Sequence, residues 1–131
     1  MSETLIRNTN QIKQAIDFIG TEWGSIHPSD IDAVLEFDNQ FLILFEVKRL
    51  GNDIHKGQKM MLDRICDSWK GKSIVLKAEH EYNDTEIIKL NECELTELYY
   101  SGSWRKPKYR LSIEKALELL AKHWDIKKML K

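Results

Sequence analysis

Residues 30–37 alternate polar and apolar and then run apolar, Asp-Ile-Asp-Ala-Val-Leu-Glu-Phe. They are followed by Asp38-Asn39-Gln40 and by an unbroken apolar run over 41–45 that ends in Glu46-Val47-Lys48. Period-two alternation, turn chemistry and a continuous apolar run in that order predict two strands joined by a tight turn. A three-residue turn at 38–40 sets Phe37 opposite Phe41, Asp32 opposite Glu46 and Asp30 opposite Lys48. Ile31, Ala33, Leu35, Phe37, Phe41, Ile43, Phe45 and Val47 then share one face, and Asp30, Asp32, Val34, Glu36, Leu42, Leu44, Glu46 and Lys48 the other. A two-residue turn would put Ile31 opposite Glu46 and carry charge into the apolar face, because a one-residue slip inverts every side chain. The three-residue register is therefore expected.

The remaining elements follow from the same patterning. Ile12, Ala15, Ile16 and Ile19 recur at helical spacing, predicting a helix over 8–20 with Asn8 and Gln11 as a capping pair. Gln58, Met61, Leu62, Ile65, Cys66 and Trp69 mark a helix over about 55–70, and the short apolar run 73–78 an interior strand. Residues 79–91 are charged and loop-like, with a short strand or turn over 86–90, and 93–100 alternate weakly as a further strand. Ser112 caps a helix whose stripe is Ile113, Ala116, Leu117, Leu120, Ala121 and Trp124, and 127–131 reads as a frayed tail. The order αββαββα predicts an α/β or α+β fold with a mixed central sheet flanked by helices. At 131 residues it fits one domain, 1–131.

Composition narrows the functions. The net charge is −1, so no global basic footprint announces nucleic-acid binding, and any such surface must be local. Cys66 and Cys93, far apart and inside predicted elements, read as buried thiols of a reducing compartment. The opening residues lack a signal peptide's basic and apolar regions, and no apolar run approaches spanning length, so a soluble, cytoplasmic chain with no membrane partner is expected.

The chemistry lies on the second face of the hairpin. Asp32 and Glu46 form a cross-strand pair with Cβ atoms about 4.5–5.5 Å apart, and like charges directly opposite are unfavourable. Something positive between them resolves the conflict, either Lys48, two residues along, or a bound divalent ion. Carboxylates, the Val47 carbonyl and waters suit Mg²⁺ or Mn²⁺. A lysine beside such an ion holds a water or stabilises a phosphate, so metal-assisted phosphodiester hydrolysis is the predicted chemistry. The competing reading is a solvated strand end with an ordinary Asp32–Lys48 surface pair worth under about 1 kcal/mol. An isolated E-x-K means little in a chain with 31% charged residues; its place at the end of a buried-type strand, with an acid opposite, is the signal.

Asp32 followed, after a hairpin, by Glu46-Val47-Lys48 resembles the PD-(D/E)xK nuclease superfamily. The resemblance implies a restriction-endonuclease-like mixed sheet, Mg²⁺-dependent cleavage of DNA before RNA, and either recognition of DNA structure or ends or homodimerisation, as in small phage-type or junction-resolving endonucleases. It implies Asp32, Glu46 and the Val47 carbonyl as metal ligands and Lys48 as the catalytic amine. Asp30, in Pro28-Ser29-Asp30, is a further ligand on the same resemblance, and Glu22 a glutamate supplied from the N-terminal segment. Gln58 heads the stripe of the following helix where an apolar residue would be expected, a position at which members of that superfamily place a glutamine or tyrosine to orient the lysine or a phosphate. Arg49, Lys56 and Lys59 lie where phosphate contact is plausible, and Trp104-Arg105-Lys106-Pro107-Lys108 mixes cations and aromatics as backbone neutralisation with stacking requires. The last stretch equally suits an edge strand protected by lysine and proline. The alternative function is a non-catalytic nucleic-acid-binding or assembly protein on the same scaffold.

Overall fold

A computed structural model describes residues 16–130. It separates into an N-terminal unit ending at Asp30 and a second unit beginning at Ile31. In the first, Trp23 and Ile26 exchange backbone hydrogen bonds of 2.9 and 3.1 Å. Most of the helix expected over 8–20 lies outside the described residues; its described end, 16–20, is not helical and closes a turn in which Thr21 N donates to Phe18 O at 3.0 Å.

The second unit is a five-stranded mixed sheet with two helices. Strands β1 (Ala33–Phe37) and β2 (Phe41–Arg49) precede helix α1 (Lys56–Ser68), which leads to β3 (Lys72–His80). A 3-10 turn, Leu90–Glu92, then β4 (Glu94–Tyr100), β5 (Ser103–Arg105) and helix α2 (Ile113–Trp124) complete it. The strands lie in the spatial order β1-β2-β3-β4-β5, and β2 and β3 are parallel while every other neighbouring pair is antiparallel. A parallel pair needs a crossover connection, and α1 provides it.

The hairpin adopts the expected register, Phe37↔Phe41 through Ala33↔Phe45. Asp38 and Asn39 turn the chain with φ of 52° and 61°, the left-handed region that Asp and Asn tolerate best among non-glycine residues. Ile43 and Phe45 join Ile74, Leu76, Leu95, Ile113, Ala116 and Trp124 in one core layer, beneath α2. Leu42 and Leu44 join Leu62, Cys66, Val75 and Tyr99 in the other, beneath α1. Ile31 departs from the expectation: it packs on the α1 side, because β1 pairing ends at Ala33 and alternation binds only a paired strand. The tail is not frayed as predicted either. Ile126 is buried, Met129 packs against the α2 layer, and Lys128 Nζ donates to Asp38 at 2.7 Å. Ser112 caps α2 as expected, accepting Lys115 N–H at 3.1 Å. Among the described residues, no helix is long and apolar enough to cross a membrane.

Candidate metal centre

The E-x-K triplet lies at the C-terminal end of β2. Leu50 N donates towards β3, to His80 O, so by strand alternation the N–H of residue 47 faces the β1 side, just past the last paired residue of β1. Asp32 Oδ2 takes that N–H at 2.7 Å. The strand end thereby fixes Asp32 beside Glu46, and the Val47 carbonyl, which shares the direction of its N–H, faces the same side.

Glu46 is only 2% exposed. Lys48 Nζ stands 3.6 Å from its Oε1, and Oε2 is buried with no hydrogen-bond partner. Burial pushes its carboxyl up to about 7, the Asp32 charge and a side-chain hydrogen bond with Asp32 add to the rise, and Lys48 and a side-chain hydrogen bond with Gln58 oppose it. Gln58 lies in the first turn of α1, half-buried, with its side chain acting on Glu46. Asp32, from the residue before β1, Glu46 and Lys48, from β2, and Gln58, from α1, therefore come together.

A buried carboxylate oxygen without a partner costs more than one to three kcal/mol, the range of about that size known for neutral groups. A second carboxylate and a backbone carbonyl on the same side make this an all-oxygen donor set, the chemistry that Mg²⁺ prefers. Among the described residues no three His, Cys, Asp or Glu side chains gather as a ligand group. Two carboxylates plus waters match Mg²⁺, which dehydrates reluctantly and binds through one or two carboxylates. Glu22 and Asp30, the other expected ligands, belong to the N-terminal unit, where both are exposed.

The expected nucleic-acid contacts are dispersed. Arg49 pairs with Asp84. Lys56 is exposed at the start of α1. Lys59 lies 4.5 Å over the Trp104 ring and 3.6 Å from Glu97 Oε2, while Trp104 Nε1 donates to Asp63 at 2.7 Å, so this aromatic is packed against α1. Arg105 donates to Tyr100 O at 2.9 Å and to Ser103 Oγ at 3.1 Å within β4–β5. Lys106 and Lys108 are exposed along a groove shared with Asp53, Glu79, Glu94 and Glu97.

Sequence reasoning missed a second buried ionic group on the same face. Lys77 and Glu79 are 2% and 8% exposed, and Lys77 Nζ lies 2.9 Å from Glu79, 3.7 Å from Glu97 and 3.8 Å from Asp53. Glu79 also accepts Gly51 N–H at 2.9 Å and the Thr96 hydroxyl at 2.6 Å. These hydrogen bonds, with Lys77, outweigh desolvation and hold the Glu79 carboxyl below its ordinary value. The available signal was Lys77-Ala78-Glu79, two charges at period-two spacing directly after the apolar run Ile74-Val75-Leu76. Comparison with protein-family models, with curated proteins and with solved structures finds no match to this chain.

Proposed function

We propose that this chain is a Mg²⁺-dependent nuclease that hydrolyses phosphodiester bonds, with DNA as its first substrate. The reading rests on one observation above the others: Glu46 is buried with an unpartnered oxygen, beside a second carboxylate and an amine. Asp32, Glu46 and the Val47 carbonyl would hold Mg²⁺, or Mn²⁺ in its place, which when bound supplies Lewis-acid polarisation and a more acidic water.

The chain's own groups do the rest. Lys48, its side chain 21% exposed, keeps a cation at the mouth of the site, where it stabilises negative charge developing on the phosphate. Gln58, from the first turn of α1, orients Glu46 and can donate to a phosphate oxygen or a water. Asp32 holds the end of β2 through Val47 N–H while offering its carboxylate. The Asp, Glu-x-Lys resemblance supports the same roles.

The test is Mg²⁺-dependent cleavage of single-stranded, duplex and branched DNA by the wild type and by Glu46→Ala and Lys48→Ala, with thermal melts as the fold control. Loss of cleavage in both folded variants is expected. Cleavage retained by either would remove the assignment.

A further inference from the structure

The parallel register of β2 and β3 sets Glu46 beside Lys77 and Lys48 beside Glu79. Register neighbours share a face, so two adjacent strands carry E-x-K and K-x-E side by side in opposite order. Each acid thus has an amine both along its own strand and across the ladder, about 4.8 Å between strands. The ion pairs run along the strands. Lys48 pairs with Glu46 at 3.6 Å and Lys77 with Glu79 at 2.9 Å. Glu97, the register partner of Lys77 on β4, draws the ammonium the same way at 3.7 Å, and Asp53 adds a contact at 3.8 Å. Glu79 is itself fixed by Gly51 N–H and the Thr96 hydroxyl, so it does not follow Lys77 if the amine moves. The outcome is uneven: a buried ammonium is surrounded by acids on the β4 side, while the neighbouring Glu46 keeps a buried oxygen with no partner.

We propose that Glu79 and Glu97 restrain the Lys77 ammonium away from Glu46, and that this restraint keeps Glu46 open to a divalent cation. The proposal rests on the reading of Glu46 as a cation ligand. Lys77, Glu79 and Glu97 are positioning residues in it: they touch neither the ion nor the substrate. Thr96 belongs with them through its hydrogen bond to Glu79.

Binding of Mn²⁺ alone, without DNA, tests it by electron paramagnetic resonance or calorimetry on the full chain. Glu97→Gln and Glu79→Gln release Lys77 towards Glu46 and weaken Mn²⁺ binding by about tenfold, the scale of one added ion pair competing for the same carboxylate. Glu94→Gln removes the same charge from the same strand, where Glu94 pairs with Arg110 at 2.9 Å, and leaves binding near wild type. Thr96→Val changes no charge, frees one hydrogen bond of Glu79, and weakens binding in the same direction by less. Adding Lys77→Met to Glu97→Gln restores the affinity, and a crystal structure of Glu97→Gln places Lys77 Nζ within ion-pair distance of Glu46. Wild-type affinity in folded Glu97→Gln and Glu79→Gln overturns the proposal, as does equal weakening by Glu94→Gln, which would reduce the effect to net charge. Absence of Mn²⁺ binding in the wild type, or its survival in Glu46→Gln, instead overturns the parent reading of the site, and the proposal with it.

Discussion

Replacing Glu46 by glutamine isolates what this buried acid costs the metal-free protein. Its carboxyl is raised from 4.5 to about 7, first by desolvation, then by the Asp32 charge. Between those two values the folded chain binds more protons than the unfolded chain, so stability falls as pH rises. The contribution is fully present below pH 4.5 and is lost as pH passes through about 7. At about 1.36 kcal/mol per pKa unit the loss is on the order of 3 kcal/mol. Glutamine has the shape of the protonated acid and does not titrate, so Glu46→Gln matches the wild type near pH 4 and exceeds it by on the order of 3 kcal/mol at pH 8. Urea unfolding followed by tryptophan fluorescence in a chelator, at several pH values, measures both proteins; groups distant from Glu46 cancel in the difference, which reports Glu46 together with its neighbours Asp32 and Lys48. Mg²⁺ added at pH 8 should stabilise the wild type selectively, by about 2.7 kcal/mol at a hundred times its dissociation constant. A wild-type minus Gln difference that stays flat from pH 5 to pH 8 would show that Glu46 is not held in a costly charged state, and the case for a waiting cation site would lose its energetic basis.

Further outcomes follow from individual contacts. Asp32→Asn keeps an oxygen for Val47 N–H but removes the charge, so the fold survives while Mn²⁺ binding, read by calorimetry, drops by about tenfold or more. Gly71→Ala drives a Cβ into the Gln40 carbonyl, the acceptor of Lys72 N–H at 2.8 Å, and should cost about 1–3 kcal/mol in urea unfolding. Ser112→Ala strips the cap from Lys115 N–H and should lower stability by about 1 kcal/mol, seen as a reduced melting temperature.

The hairpin was readable because period two leaves no intermediate choice: a register that sets Phe37, Phe41, Ile43 and Phe45 on one face cannot be shifted by one residue without dividing that set between the two faces. The stripes of α1 and α2 were readable for the same reason at helical period, and Leu62, Cys66, Ile113, Ala116 and Trp124 are indeed buried. Two of the departures, Ile31 and the tail, occur where the repeat stops. Ile31 lies beyond the last paired residue of β1, so nothing holds it to the face that alternation assigns. Ile126 is a single apolar residue past the end of α2, too short a signal to reveal that the tail folds back to bury it.

The site divides along the same line. Asp32 and Glu46 could be brought near each other from the hairpin alone, since each lies one residue beyond its last pair, Ala33↔Phe45, and Gln58 stood out by interrupting an apolar stripe. Lys77, Glu79 and Glu97 could not be placed from sequence, because their relation to Glu46 depends on how β3 slides against β2 across a connection of 22 residues, 50–71, that no turn rule fixes. A K-x-E triplet is as uninformative alone as an E-x-K. Only the parallel register sets the two beside each other, and only the head-group contacts decide whether four alternating charges pair along the strands or across them. Here Thr96 and Gly51 fix Glu79, and Glu79 and Glu97 both contact the Lys77 ammonium, so the two triplets, alike in composition, differ in their surroundings: Glu79 is hydrogen-bonded and ion-paired, whereas Oε2 of Glu46 has no hydrogen-bond partner.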